Sequence, residues 1–406
     1  MRRRFPAALF ALVLIGCTAN APLGDPELPY PPPQAPRVGD VLHLPTGFYV
    51  DRQTLLIHAS EARVVYVGET HDNPASHQLQ LEILKYLQEH NPEGVALAME
   101  MFTPLQQPSL DRWIGGDLSE KEFLEEVGWF ESWRMDFAYY RPLLAFARER
   151  RIPVIGLNAP SHLVEALGRA PVEELPEEAV AELPDLDFSD PYQQAFVAAI
   201  HGGHESGRVR RDAFLRIQTL WDESMAENLA TYLRSPGGRG RQVVVVAGGN
   251  HVRFGFGIPR RLFRRLPAPY LLVGTKEIEI PEAKRDMLMD VQVPRLPMPP
   301  YHFVAFTRYE DLPQSGVKLG VRLREGDGCV AVAAVVPGSA AERAGLRAGD
   351  GLCRLDRVAV KKPFDLVYEL KQRNPGDQVV LGVERDGEVL EIEVDFPDPE
   401  MNRDDE

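Results

Sequence analysis

Short apolar runs at residues 64–67, 95–99, 152–157 and 243–247 are rich in branched side chains and bounded by breakers, and 270–273 is a further run of the same kind. Uninterrupted apolar stretches of about four to eight residues predict strands buried on both faces, the habit of parallel sheets. Helical patterns fill the intervals. Asn73-Pro74 opens the first, because Asn caps a helix N-terminus and Pro fits its first turn. Leu79, Ile83, Leu84 and Leu87 then recur at helical spacing. A later stretch, 212–233, brings Phe214, Ile217, Leu220, Trp221 and Met225 near one face. Strands alternating with helices predict an α/β fold with a mostly parallel sheet flanked by helices.

The residues after each strand carry the chemistry. Gly68-Glu69-Thr70-His71 follows the first run, Glu100 the second, Asn158-Ala159-Pro160 the third and Gly248-Gly249-Asn250-His251 the fourth. Ligands of open α/β sheets bind at the carboxyl ends of strands. One convergent site of Glu69, His71, Glu100, Asn158 and His251 is therefore expected. Each has a plainer reading alone: a carboxylate can cap a helix, and Asn before Ala-Pro often fixes a turn. Two Gly-x-x-His segments with a carboxylate at a third strand end also suit a first shell for a borderline or hard metal. His77 falls in the first turn of its helix, facing either this site or solvent. His201 and His204 flank a glycine-rich stretch that reads as an exposed loop. Trp129, Trp133, Tyr139 and Tyr140 crowd one segment, as core residues or as the wall of a flat apolar ligand site.

Composition narrows the classes. A chain of 406 residues allows two or three domains. At 44% hydrophobic and 26% charged residues it is not wholly disordered. A net charge of −15 repels polyanions, so no nucleic-acid partner is expected. Three cysteines exclude a disulfide-stapled scaffold.

The N-terminus reads as an address. Arg2, Arg3 and Arg4 precede an apolar segment at 7–15, and Leu14-Ile15-Gly16-Cys17 resembles a bacterial lipobox. The resemblance implies a signal peptide over 1–17, with Cys17 acylated as a lipoprotein anchor (diacylglycerol and an N-acyl chain such as palmitate). Thr18 after the Cys resembles the outer-membrane sorting pattern. Residues 18–45, with seven prolines between 22 and 36, read as a semi-rigid tether off the membrane.

Taken in order, Gly68-Glu69-Thr70-His71-Asp72-Asn73-Pro74 with His77, Met99-Glu100-Met101-Phe102, Asn158-Ala159-Pro160, Gln218 with Trp221-Asp222-Glu223-Ser224-Met225-Ala226, and Gly248-Gly249-Asn250-His251-Val252 resemble the ChaN family of haem-binding uptake lipoproteins. That family shares a superfamily with Tiki, erythromycin esterase and TraB-like proteins. The resemblance implies an iron-regulated surface lipoprotein that binds haem, as a homodimer. The Tiki branch implies instead a metal-dependent peptidase, with His71, His251 and Glu100 as the matching positions. Ser76-His77-Gln78 departs from the family pattern, which places a second His beside the one at His77.

Residues 280–300 are rich in Pro and charge and read as a connector. The chain from about 310 resembles a PDZ domain of the bacterial protease-associated type. Lys318-Leu319-Gly320-Val321, Pro337-Gly338-Ser339-Ala340-Ala341, Ala344-Gly345-Leu346-Arg347-Ala348-Gly349-Asp350, Asn374-Pro375-Gly376 and Val383-Glu384-Arg385-Asp386-Gly387 carry the resemblance. It implies a module that takes a peptide or protein C-terminus, its carboxylate held by amides at Leu319, Gly320 and Val321. A structural or dimerising role is the plainer alternative. Pro337-Gly338 predicts a turn, 340–344 a short helix stopped by Gly345, and Arg385-Asp386-Gly387 a hairpin.

The expected organisation is a signal peptide at 1–17, a tether at 18–45, a haem-binding α/β domain at 46–279, a linker at 280–309 and a small α+β PDZ domain at 310–398. The expected function is haem uptake at the bacterial outer membrane. Trp129, Trp133, Tyr139, Tyr140, His77 and Asn158 surround the haem in this reading, and a Tyr or His binds its iron. The enzyme alternative is a hydrolase using a divalent metal such as Zn or Mn on His71, His251 and Glu100, with Glu69 or Glu100 as base. A third alternative is a scaffold that recruits a partner through its PDZ module.

Overall fold

The computed structural model describes residues 30, 32–202, 211–285, 291–312 and 316–397. Cys17, the signal peptide and His204 lie outside the described residues. Among those described, no helix is long and apolar enough to cross a membrane.

The first domain is built on one eight-stranded sheet. Its strands are β1 (Val41–His43), β2 (Phe48–Val50), β3 (Val64–Glu69), β4 (Val95–Met99), β5 (Val154–Gly156), β6 (Gln242–Gly248), β7 (Tyr270–Glu279) and β8 (Phe303–Arg308). They lie in the order β2-β1-β8-β7-β3-β6-β4-β5. From β8 to β5 the pairing is parallel, and β1 adds antiparallel to β8. The period-2 pleat divides the apolar runs between two cores. Val65, Val67, Leu97, Met99, Val244 and Val246 enter one, while Val64, Tyr66, Ala96, Ala98, Val243 and Val245 enter the other. The helix Pro74–His90 lies over the first face and Arg211–Arg234 over the second, so both sides of the sheet are buried.

The mostly parallel α/β architecture is as expected, but two segments differ. The stretch 280–309, read as linker, supplies β8. Its Phe303 and Ala305 enter one core and Val304 and Phe306 the other, so burial on both faces holds it in the sheet. The end of the expected tether supplies β1, which pairs with β8 and buries Val41 and Leu42.

The C-terminal module is an antiparallel sheet of β9 (Val321–Glu325), β10 (Val330–Val335), β11 (Gly351–Leu355), β12 (Val358–Ala359), β13 (Gln378–Arg385) and β14 (Glu388–Asp395). Its order is β14-β13-β11-β10-β9, with β12 paired to β11, which leaves β9 on an edge. The expected hairpin joins β13 to β14 with Asp386 and Gly387 both at positive φ, the geometry of a type I′ turn. Ser339 caps the short helix Ala340–Arg343. Cys329 and Cys353 form a disulfide across the module.

Candidate functional site

β3, β6 and β4 are adjacent in the sheet, so their carboxyl ends deliver Glu69, Gly248-Gly249 and Glu100 to one place. They open on a cleft of about 980 Å³. His71 arrives on the loop before the Pro74–His90 helix, and His251 on the single turn Gly249–Val252 after β6. Glu69, His71, Glu100, Asn158 and His251 all line the cleft, which brings together the strand-end residues expected from sequence.

Two carboxylate–imidazole pairs organise it. Nδ1 of His71 lies 2.8 Å from Oε1 of Glu69. Nδ1 of His251 lies 2.7 Å from Oδ1 of Asp222, and its Nε2 is 3.5 Å from Glu100. Glu100 in turn accepts the Gly248 amide at 2.6 Å. His71 thus has one ring nitrogen engaged while Nε2 has no partner among the described residues. A methyl group on Gly248 would lie 3.0 Å from that Nε2, so the glycine keeps room beside the ring. Trp133 meets the His71 ring edge-on at 5.1 Å.

Glu69 is the most heavily bonded carboxylate of the site. Burial pushes its carboxyl up, but His77, His71 and Gln80 outweigh this and bring it down to about 2. Gln80 donates to its second oxygen at 2.6 Å and Tyr140 donates to the first at 2.7 Å. Burial pushes His71 down, yet Glu69 and Glu100 raise it to about 9. Burial likewise disfavours the charge on His251, and Glu100 and Asp222 raise it overall.

The other carboxylates of the cleft are also spoken for. Glu277 accepts from Asn73, and Asp72 accepts the Tyr309 hydroxyl. Arg253 and Lys276 are the cations on the lining, with Arg253 donating to Asn250 and lying over the Phe196 ring. Trp133, Met135, Ile200, Trp221, Val293 and Tyr301 supply the apolar surface.

The aromatic segment is placed differently from expectation. Trp129 is fully buried in the core and donates its indole N–H to Met135. Tyr140 is equally buried, with its hydroxyl committed to Glu69 and to the Trp133 indole. Tyr139 packs on His77, outside the cleft lining. His77 is buried behind the site, with Nε2 3.0 Å from the His71 carbonyl and Nδ1 3.2 Å from Gln80. Of that group only Trp133 and Asn158 line the cleft. Nor do His71, His251 and Glu100 converge as metal ligands. Among the described residues, the one group of three or more His, Cys, Asp or Glu with ligand atoms all within 4.8 Å of one another is Cys329, Cys353 and Glu384, where both sulfurs are already a disulfide.

Asp222 and Gln80 were not singled out from sequence. Asp222 sits in a helical apolar stripe between Trp221 and Met225, and a carboxylate in such a stripe is a signal for a buried partner.

A family model described as haem-binding uptake, Tiki superfamily, ChaN matches residues 55–262, more than half of the chain. The chain belongs to the ChaN family. A PDZ domain model matches residues 317–396. Among solved structures, ChaN of Campylobacter jejuni, described as binding haem cofacially, is 16% identical over 65% of this chain and 95% of that one, with a TM-score of 0.49. The HtrA-type protease AlgW with a decapeptide is 20% identical, covering 21% of this chain and 29% of that one at a TM-score of 0.20. An aminopeptidase N family protein from Idiomarina loihiensis is 25% identical over 21% of this chain and 14% of that one, also at 0.20. No curated protein matches the chain.

In the PDZ domain, the loop before β9 has Gly320 at φ 82°, where a side chain would strike Ser339. The carbonyls of Leu319 and Gly320 accept from the Ala341 and Val336 amides. The Pro363–Lys371 helix packs beside edge strand β9, whose outer side has no strand partner among the described residues and is the kind of edge to which a peptide strand can add.

Proposed function

We propose that this ChaN-family domain carries haem as cargo in the strand-end cleft, with Nε2 of His71 as the iron ligand. The observation that carries this reading is the His71 ring itself: it lines a cleft large enough for a small-molecule ligand, one nitrogen is held by Glu69, and the other has no partner among the described residues. A volume of about 980 Å³ stands at the upper end of the usual range of roughly 300–1,000 Å³. A carboxylate on the far nitrogen fixes the ring's orientation and raises its basicity toward a metal. His251 is the poorer candidate, because both of its nitrogens face carboxylates. Trp133, Met135, Trp221 and Tyr301 bury the porphyrin faces, which supplies most of the affinity. Arg253 and Lys276, the basic side chains on the lining, meet the propionates.

In the same reading Cys17 is acylated and tethers the protein to the outer membrane, and the PDZ domain takes an apolar C-terminus in the β9 groove. The Cys329–Cys353 disulfide supports an oxidising compartment outside the cytoplasm. Family resemblance adds a homodimer, which sedimentation of the haem-loaded chain measures.

Titration of the purified full chain with haem tests the cargo reading. A Soret band that saturates at a fixed ratio of haem to chain supports it. Absorbance that rises without saturation, as for free haem, refutes it.

A further inference from the structure

The PDZ domain does not hang free. Its Pro363–Lys371 helix, which lies beside β9 and so borders the proposed peptide groove, is docked on the stretch of the ChaN-family domain that builds the cleft wall. Phe364 is 7% exposed and joins the α/β core, its ring 5.5 Å from Phe130. Around this plug, Lys362 pairs with Glu125, and Lys121 reaches Asp365 at 3.2 Å and Glu369 at 3.4 Å. Lys371 pairs with Asp136 at 2.8 Å. Opposite charges thus alternate across the contact, and Lys121 also lies over the Tyr368 ring.

Both ends of this contact lead to a site. On one side, Asp136 caps the turn Phe137–Tyr139, accepting from the Ala138 amide at 3.0 Å. That turn sets Tyr140, whose hydroxyl holds Glu69, which in turn holds His71. Trp133, a cleft residue, lies three positions before Asp136. On the other side, Lys371 closes the groove helix against the chain entering the Leu319-Gly320-Val321 loop. A methyl on Gly316 would lie 2.7 Å from the Lys371 Cα, so helix end and loop are in contact.

We infer that the peptide groove and the strand-end cleft are coupled through the docked Pro363–Lys371 helix, so that a peptide C-terminus in the groove changes the cleft's affinity for its ligand. Lys371 acts as a positioning residue, through Asp136 and the Phe137–Tyr139 turn. A peptide strand added to β9 shifts the helix that borders it, and the shift reaches Trp133 and Tyr140 along packed and hydrogen-bonded groups. By linkage the effect is reciprocal: the cleft ligand alters peptide affinity by the same factor. The inference uses the haem reading only for one of its two probes.

The test uses the full chain and a pool of decapeptides ending in Val, Leu, Ile or Phe, with amidated versions as controls. Hydrogen exchange over residues 129–140 is followed with and without the free-carboxylate pool, and haem affinity is measured under both conditions. Coupling predicts altered exchange protection in 129–140 and at least about a five-fold change in haem affinity, the lower end of usual coupling factors. Lys362→Glu should reduce both effects, and Glu125→Lys in the same chain should restore them. Peptides that bind without moving either readout overturn the inference, as does a groove that binds no peptide. A chain that takes up no haem sinks the cargo reading instead, and the exchange arm still decides the coupling.

Discussion

The hydroxyl of Tyr140 donates to Oε1 of Glu69 across 2.7 Å, although 71 positions separate the two residues. This bond ties the aromatic segment to the end of β3 and uses the one polar atom of a fully buried side chain. Tyr140→Phe leaves the ring and removes the donor. It is expected to cost about 1.5–3 kcal/mol, the range for a hydrogen bond to a charged group, measured by denaturant unfolding. Haem uptake should survive the change, since Tyr140 serves the cleft from behind. Loss of the Soret band in a folded Tyr140→Phe chain would make this residue a ligand instead.

Asp222 holds His251 in the same manner. Asp222→Ala leaves a buried imidazole without its Nδ1 partner and should destabilise the domain by about 1–3 kcal/mol. Asp222→Asn keeps a carbonyl acceptor and is expected to lose less than Asp222→Ala. Equal losses, read from unfolding midpoints, would contradict the bond's role.

Gly320 allows a direct test of the groove. Its φ of 82° and the 2.2 Å separation a methyl would have from the Ser339 Cβ leave no room for a side chain. Gly320→Ala should therefore lower peptide affinity at least ten-fold, about 1.4 kcal/mol, by displacing the loop amides. Wild-type binding should also weaken when the peptide carboxylate is amidated, since charge-assisted bonds to amides are the strong ones. Calorimetry with paired free and amidated peptides measures both effects.

The PDZ domain should lose stability in acid through Asp350. Burial pushes that carboxyl up, but two bonds from Arg385 and one from the Arg347 amide outweigh it and hold it below its ordinary value of 3.8. A lowered folded value means the stabilisation is complete above pH 3.8 and is lost as pH falls through the folded value. Asp350→Asn should remove about 2 kcal/mol near neutral pH and flatten the acid limb. Amide exchange in β10 and β11 as a function of pH reports this module directly.

The anchor is tested by Cys17→Ser, which should move the protein from the membrane fraction to a soluble or unprocessed form. Unchanged fractionation would refute acylation at Cys17.

Much of the fold was legible because parallel strands buried on both faces have to be apolar throughout, as β3, β4 and β6 are. Their ends could be aligned without knowing the sheet order, and that sufficed to group Glu69, His71, Glu100 and His251. β1 and β2 have three residues each and fall in a proline-rich context. β1 is held by β8, far along the chain, and β2 only by β1, so no local period announces them. The aromatic segment shows the same limit. Spacing leaves Trp129, Trp133 and Tyr140 open between core and ligand wall, and only packing decides that Trp129 fills the core while Trp133 lines the cleft. Asp222 and Gln80 project from helices, and their reach to His251 and Glu69 depends on how those helices lie on the sheet.

The most direct measurement is haem titration of His71→Ala beside wild type and Tyr140→Phe, with the fold of each checked by circular dichroism. The account predicts saturable binding in wild type and Tyr140→Phe, and for His71→Ala a weakened affinity with a shifted Soret maximum as the iron loses its imidazole. A folded His71→Ala chain that binds haem with wild-type affinity and an unchanged spectrum would contradict it.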